Sequence, residues 1–189
     1  MSRAGARNRV RIVGGQWRSR VLHFPDVEGL RPTPDRVRET LFNWLGQDLS
    51  GRICLDLFAG SGVLGLEAAS RGATLVVLVE RDATAFRALQ DNAAALAASK
   101  VQLVRADALE FLASNARSYD VVFLDPPYVM GGRDALLERL REHIAPGGLV
   151  YVEGPETLPP LSGWQAYRSA RAGAVHYQLL QHQRGNETR

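Results

Sequence analysis

The run Asp125-Pro126-Pro127-Tyr128 carries side chains that could hold an amino group. Two successive prolines have no N–H to donate, so this turn presents carbonyl oxygens and one carboxylate as hydrogen-bond acceptors. A target amine has hydrogens to donate to such acceptors, and the Tyr128 ring offers a flat face on which a base could stack. We predict from this that the four residues bind and activate an exocyclic amine. The alternative is an ordinary turn at the end of a strand, followed by a core tyrosine.

A second pattern, Gly60-Ser61-Gly62-Val63-Leu64-Gly65, lies between an apolar run and a helical segment. Its G-x-G-x-x-G spacing is typical of loops that bind nucleotides, because glycines let the backbone turn tightly and approach a ligand. The following apolar run ends at Glu80, 20 residues after Gly60, where such folds carry the acid that binds a ribose. The pattern therefore predicts a site for a ligand that contains an adenosine ribose.

Asp56 favours S-adenosylmethionine over a nicotinamide dinucleotide as that ligand. Its carboxylate would lie just before the glycine loop, where it would repel a pyrophosphate and attract the ammonium group of a methionine. The alternative is that Asp56 only caps the end of its strand. Asp107 follows a third apolar run and could contact an adenine, cap the next helix, or do both.

The basic residues concentrate in the first fifth of the chain. Residues 1–38 contain nine arginines and three acids, whereas the remainder carries more acids than bases. Arginine pairs with phosphates in a bidentate fashion and stacks on bases, so this asymmetry predicts a nucleic-acid partner. Val10, Ile12 and Val21, with a turn at Gly14-Gly15, predict a β-hairpin in this arm. The candidate contacts to nucleic acid are Arg9, Arg11, Trp17, Arg18, Arg20, Arg31 and Arg36, although Trp17 could instead pack within the hairpin.

The elements that must position these residues alternate along the chain. Strands are predicted at 52–57, 74–80, 101–105, 119–124 and 149–153, and helices at 34–47, 63–70, 83–98, 107–116 and 133–143. Such alternation indicates an α/β fold with a doubly wound, mostly parallel sheet of the Rossmann-like class, in which ligands bind at the carboxyl ends of the strands. Thr33 is the expected cap of the first helix. Segments 164–170 and 174–181 should close the sheet as an antiparallel hairpin.

Composition bounds these expectations. With 189 residues and 46% hydrophobic side chains, the chain can bury one core. It has no run of 18 apolar residues and no signal-peptide pattern, so we expect a soluble, cytoplasmic protein. The single cysteine, Cys54, cannot form an internal disulfide, and the four histidines show no metal-binding spacing, so no metal is expected.

The glycine loop, the ribose acid and Asp-Pro-Pro-Tyr together resemble the Rossmann-like S-adenosylmethionine methyltransferases that modify amino groups. Two further motifs, Arg11-Ile12-Val13-Gly14-Gly15-Gln16-Trp17-Arg18-Ser19-Arg20 and the segment from Leu30 to Leu45, are similar to the bacterial 16S ribosomal RNA guanine-N2 methyltransferase family. This resemblance extends from about Val10 to Gly148. Pro34 stands where relatives often carry a second threonine, a change that suits the first turn of a helix.

The resemblance implies a function, a cofactor and a substrate. The protein would transfer a methyl group from S-adenosylmethionine to the exocyclic N2 of a guanine in 16S ribosomal RNA, in the small subunit or an assembly intermediate, and would act as a monomer. Residues 1–32 would form the RNA-binding arm and residues 33–189 the methyltransferase domain. The predicted cofactor-binding residues are Asp56, Phe58, Gly60, Ser61, Gly62, Glu80, Arg81, Asp107 and Ala108. Asp125, Pro126, Pro127 and Tyr128 would hold the guanine.

Four other functions remain open from the sequence. A similar acceptor turn also serves adenine-N6 and glutamine-N5 methyltransferases. A nicotinamide-dependent oxidoreductase would explain the glycine loop and Glu80 but would leave Asp-Pro-Pro-Tyr without a role. An inert RNA-binding module would explain the arginines but not the set of acids at the predicted strand ends.

Overall fold

The computed structural model describes residues 8–27, 29–126 and 132–183 of the chain. Its strands are β1 (Arg9–Arg11), β2 (Val21–His23), β3 (Ile53–Asp56), β4 (Leu75–Val79), β5 (Val101–Val104), β6 (Tyr119–Leu124), β7 (Ile144–Gly154), β8 (Trp164–Ala172) and β9 (Val175–His182). Its helices are α1 (Asp35–Trp44), α2 (Val63–Ser70), α3 (Ala83–Ala95), α4 (Ala108–Ser114) and α5 (Arg133–Leu140). None of these helices is long and apolar enough to cross a membrane.

Seven strands form one sheet in the order β5-β4-β3-β6-β7-β9-β8. The five strands from β5 to β7 run parallel, and β9 and β8 complete the sheet as an antiparallel hairpin. The order runs outward in both directions from β3, which is the arrangement of a doubly wound sheet. The predicted Rossmann-like fold class and the C-terminal hairpin are confirmed.

Helices and the arm cover the two faces of the sheet. One apolar cluster joins α1, α2 and α3 to one face of the sheet, and Val10, Ile12 and Leu22 of the arm belong to it. The other cluster packs α4 and α5 on the opposite face. β1 pairs with β2 in antiparallel register, so the predicted N-terminal hairpin is also confirmed. The arm is thus anchored by burial of its own apolar side chains.

Three local expectations were wrong. Thr33 does not cap α1, because its hydroxyl donates to the carboxylate of Glu153 at 2.9 Å instead, and the helix begins after Pro34 without a side-chain cap. β7 starts at Ile144 rather than at Leu149, because Ile144 already pairs with Tyr119 of β6 before a shift in register. The helix predicted at 133–143 ends at Leu140 and continues as a single 3₁₀ turn.

A buried cluster of charges holds the arm against the domain. Arg38 is fully buried and donates to Glu67 Oε2 at 2.6 Å, to Asp35 Oδ1 at 2.6 Å and to the backbone oxygen of Thr33 at 3.0 Å. Glu67 also accepts from Arg71 at 2.8 Å and from the backbone N–H of Val13 at 3.2 Å. A buried charge is tolerated when its hydrogen-bonding capacity is used in this way. The cluster therefore fixes α1 and α2 relative to the arm.

We predict that Arg38→Met lowers the free energy of unfolding by about 3 to 5 kcal/mol, because it leaves the buried Glu67 with incomplete compensation. The matched control is Arg52→Met. Arg52 is exposed and its guanidinium lies 3.8 Å from the Asp120 carboxylate. Such surface ion pairs contribute little to the free energy of unfolding. Urea unfolding followed by circular dichroism measures both variants. Equal stability losses in the two variants would contradict the role assigned to the Arg38–Glu67 pair.

Candidate active site

Four carboxylates lie at the carboxyl ends of four adjacent strands. Asp56 ends β3, Glu80 follows β4, Asp125 follows β6, and Glu153 lies near the end of β7. Because these strands are parallel neighbours in the sheet, their ends meet at one edge. We refer to these four residues as the acidic edge. Doubly wound sheets bind their ligands at such an edge, which makes it the candidate active site.

Asp56 is buried at the start of the glycine loop, with 3% of its surface exposed. Its Oδ2 accepts from the backbone N–H of Gly65 in α2 at 3.0 Å. Burial raises the pKa of its carboxyl to about 7, the Gly65 amide opposes this shift, and the charge of Glu80 adds to it. A bound cation would favour the ionised form, so the site is suited to a positively charged group.

The glycine loop approaches the sheet closely. Gly62 adopts φ of 75°, and a Cβ there would lie 2.3 Å from the Leu89 side chain. At Gly65, a Cβ would lie 3.0 Å from Leu78 and 3.2 Å from the Asp56 side chain. These two positions require glycine, one for its backbone conformation and both for space. The loop and the start of α2 can therefore pack closely against Leu78 of β4 and the Asp56 side chain.

Glu80 shapes the same loop from β4. Its Oε2 accepts from the backbone N–H of Gly60 at 2.9 Å, and its Oε1 accepts from that of Asp82 at 2.7 Å. These bonds fix the orientation of the carboxylate beside the loop while leaving lone pairs that could accept from ribose hydroxyls. Asp82 in turn caps α3 by accepting from Thr84 and Ala85.

Asp125 is the acid that follows the central strand β6. Burial raises the pKa of its carboxyl to about 8, and the nearby charges of Glu153 and Asp56 add to this effect. Such a carboxyl is a stronger proton acceptor than an exposed aspartate once it is ionised. Pro126 is buried next to it. Pro127 and Tyr128, the other two residues predicted for this turn, lie outside the described residues.

The remaining predicted cofactor residues lie around the loop and the next strand. Asp107 caps α4 by accepting from the backbone N–H of Leu109 at 2.8 Å, which confirms the capping half of its two expected roles. Ala108 is buried behind it. Phe58 is half-buried and Ser61 is buried, whereas the Arg81 side chain is exposed.

The predicted nucleic-acid contacts lie mostly on the surface of the arm. The exposed arginines are Arg9, Arg11, Arg18, Arg20, Arg31 and Arg36. Two of them have internal partners, since Arg11 donates to Asp35 at 2.8 Å and Arg20 donates to the backbone oxygen of Ala95 at 3.0 Å. Trp17 is half-buried and packs against the core, so at least part of its surface serves the packing of the arm.

A groove of about 430 Å³ lies between the hairpin and the segment that precedes α1. Its walls come from β1 and β2 on one side and from residues 32–35 on the other, with Arg9 and Arg11 among the lining residues. Thr33 lies in this groove and its hydroxyl donates to Glu153, so the groove wall opposite the hairpin contacts one member of the acidic edge.

The sequence analysis missed Glu153. It lay in the predicted strand 149–153, but no role was assigned to it because no motif surrounds it. The available signal was its position, since it is an acid at the end of a predicted parallel strand, as Asp56 and Glu80 are. Within the described part of the chain, no group of three or more His, Cys, Asp or Glu side chains is arranged to hold a metal ion.

Comparison with known proteins places this geometry in a family. The model of the family described as "Conserved hypothetical protein 95" matches residues 10–181. Ribosomal RNA small subunit methyltransferase D of Escherichia coli K12 is 43% identical over 186 residues, which cover 95% of this chain and 93% of the relative.

Two solved structures share the fold. The structure of yhhF from Escherichia coli superposes with a TM-score of 0.84 at 43% identity, covering 93% of this chain and 98% of that one. A 16S rRNA N2-guanine methyltransferase of Thermus thermophilus, in complex with AdoMet and guanosine, superposes with a TM-score of 0.69 at 26% identity. That match covers 93% of this chain and half of the larger protein.

The raised pKa of Asp56 predicts how stability depends on pH. A carboxyl whose pKa is higher in the folded state favours folding when protonated, so stability should fall as the pH rises from about 4 to about 7. Asparagine stays neutral at every pH. In Asp56→Asn, the loss in free energy of unfolding over this pH range should therefore be smaller by roughly 2 to 4 kcal/mol. Urea unfolding at pH 5 and pH 8 measures the difference. An equal pH dependence in both proteins would mean that Asp56 is ionised in the fold at pH 5.

Proposed function

Because the chain belongs to the conserved hypothetical protein 95 family, we propose that it transfers a methyl group from S-adenosylmethionine to the exocyclic N2 of a guanine in 16S ribosomal RNA. It is a methyltransferase of the small-subunit ribosomal RNA class, as its 43% identity over most of the chain to a named member indicates. The observation that carries the finer proposal is the set of acids at one edge of the sheet, beside a turn rich in acceptors.

The residues of the acidic edge fit the cofactor. When bound, S-adenosylmethionine supplies a methyl group attached to a cationic sulfur. Asp56 would pair with its ammonium group, and Glu80 would accept from its ribose hydroxyls. Close packing at Gly62 and Gly65 holds the loop beside Asp56, where it would contact the methionine portion. Asp107 would lie near the adenine while it also caps α4.

Asp125 would act on the target amine. The lone pair of a guanine amino group is delocalised into the ring, which makes it a poor nucleophile. Hydrogen bonds accepted by the Asp125 carboxylate and the Pro126 carbonyl would favour a pyramidal nitrogen with a localised lone pair as the transition state forms. Precise positioning of the two reacting atoms would contribute about 7 to 11 kcal/mol. Pro127 and Tyr128 are proposed to complete this turn, with the Tyr128 ring stacking on the guanine.

The arm would hold the RNA. Its exposed arginines, the groove beside residues 32–35 and the net positive charge of the first 38 residues all support a phosphate-binding surface. We propose that Arg9, Arg11, Trp17, Arg18, Arg20, Arg31 and Arg36 contribute to it. The division at residue 32 into an RNA-binding arm and a methyltransferase domain belongs to the same proposal. The substrate would be RNA in the small subunit or an assembly intermediate, met in the cytoplasm by a monomeric enzyme.

The experiment that tests this function is methylation of small subunits that lack the modification. The purified protein is incubated with S-adenosylmethionine, and the nucleosides of the 16S RNA are analysed by mass spectrometry. We expect N2-methylguanosine. N6-methyladenosine would instead favour the adenine-modifying alternative, and a product found on protein rather than RNA would favour glutamine methylation.

We predict that Glu80→Ala weakens S-adenosylmethionine binding by roughly 1.5 to 3 kcal/mol, because the ribose loses a charged acceptor. Glu110→Ala is the control, since Glu110 is an exposed acid on α4 whose removal should leave affinity unchanged. Isothermal calorimetry on both variants gives the comparison. Wild-type affinity in a folded Glu80→Ala protein would remove Glu80 from the cofactor site.

A second prediction concerns the arm. Replacing Arg9, Arg18 and Arg31 by alanine should weaken RNA binding and flatten its salt dependence by about 0.7 to 0.9 in log-log slope for each phosphate that the arm no longer binds. The control variant replaces three exposed basic residues that lie just before β3, β5 and β6, at the end of the sheet opposite the acidic edge: Arg52, Lys100 and Arg117. Filter binding across a salt series measures both. If the two triple variants show the same slope of RNA affinity against salt, the arm does not bind the phosphates.

A further inference from the structure

Glu153 is the member of the acidic edge to which the proposed function gives no role. Leu124 and Val152 are paired in the parallel register of β6 and β7, so Asp125 and Glu153 occupy the next pair of positions along these strands. Neighbouring strands lie about 4.8 Å apart, and paired residues of a parallel sheet project to the same side. The Glu153 carboxylate is therefore the nearest strand-end acid on one side of Asp125.

Two hydroxyl groups hold this carboxylate. The Thr33 hydroxyl donates to Glu153 Oε1 at 2.9 Å, and the Tyr151 hydroxyl donates to the same oxygen at 2.7 Å. Both donors are rigidly placed, since 5% of Thr33 and none of Tyr151 is exposed. Burial raises the pKa of the Glu153 carboxyl, whereas these two hydrogen bonds oppose that shift and fix the orientation of the carboxylate. Thr33 also belongs to the segment that lines the groove of the arm.

We propose that Glu153 is a positioning residue that acts through Asp125: held by Thr33 and Tyr151, its negative charge keeps the neighbouring Asp125 carboxyl basic enough to take the proton that the target amine loses. This inference rests on the proposed function. During transfer, the lone pair of the amine nitrogen forms a bond to the methyl carbon, and the carbon–sulfur bond breaks with its electron pair remaining on sulfur. The nitrogen then loses one proton to Asp125, which releases it to water.

The electrostatics of the edge support this role. Burial is the largest cause of the raised pKa of Asp125. The charge of Glu153 is the second largest, and the charge of Asp56 on β3 is the third. The other ionisable groups around the pair are Tyr151, which donates to Glu153, and Tyr177 on β9 behind it. Arg133 donates to the backbone oxygen of Glu153 at 3.3 Å.

The test is the pH dependence of single-turnover methyl transfer to small subunits lacking the modification. Activity of the wild-type enzyme should rise with pH as Asp125 ionises. In Glu153→Gln, which is neutral and similar in shape, we expect this rise to shift toward lower pH by roughly one unit or more, because the neighbouring charge is gone. The rate above the rise should fall about tenfold, because Asp125 becomes a weaker base.

Two variants separate charge from structure. Thr33→Val removes one hydrogen bond to Glu153 but keeps its carboxyl, so the pH at which activity rises should move less than in Glu153→Gln. Glu153→Met, a second neutral variant, should reproduce the shift if Glu153→Gln fails to fold. If Glu153→Gln or Glu153→Met is active and its activity rises at the same pH as in the wild type, this inference is wrong while the proposed function stands. Wild-type protein that methylates no RNA would overturn the proposed function, and this inference with it.

Discussion

The site depends on one constraint, which is that parallel pairing of β4, β3, β6 and β7 brings four carboxylates to the same edge of the sheet. Like charges in a partly buried place repel, and the structure limits this repulsion in two ways. Backbone amides of Gly60, Gly65 and Asp82 donate to two of the acids, and the pKa values of Asp56 and Asp125 are raised so that these acids can be protonated. Such an edge is stabilised by a cationic ligand, and a sulfonium with an ammonium group provides two positive charges.

The distribution of charge also distinguishes the arm from the acidic edge. The arm carries the positive charge that would attract RNA, while the acidic edge carries negative charge that would repel it. The buried Arg38–Glu67 pair fixes the arm on α1 and α2, and Thr33, which directly follows the arm, donates to Glu153. The proposed function has RNA phosphates on the arginines and one base at the acidic edge. In the proposed function, the surface that would bind the polymer is thus separate from the acids that would act on the base.

Much of this could be predicted from the sequence. The alternation of strands and helices indicated the parallel sheet, because apolar runs of strand length that alternate with amphipathic helices are compatible with few other folds. The site acids within the motifs could then be predicted, because each one lies at the end of a predicted strand. The role of Thr33 could not be predicted, since a threonine before a helix favours a cap and its actual partner lies 120 residues away. Glu153 and the buried Arg38 were missed for the same reason: their environment is created by contacts distant in sequence, which local patterns do not encode.

The central claim is that Asp125 acts on the target amine while other acids bind the cofactor. Single-turnover transfer from radiolabelled S-adenosylmethionine to small subunits lacking the modification, measured for Asp125→Asn beside cofactor affinity from calorimetry, tests this claim most directly. We predict that transfer slows by about a hundredfold or more while affinity for S-adenosylmethionine changes little. A near wild-type rate in Asp125→Asn would contradict the mechanism, and an equal loss of rate and cofactor affinity would assign Asp125 to the cofactor site instead.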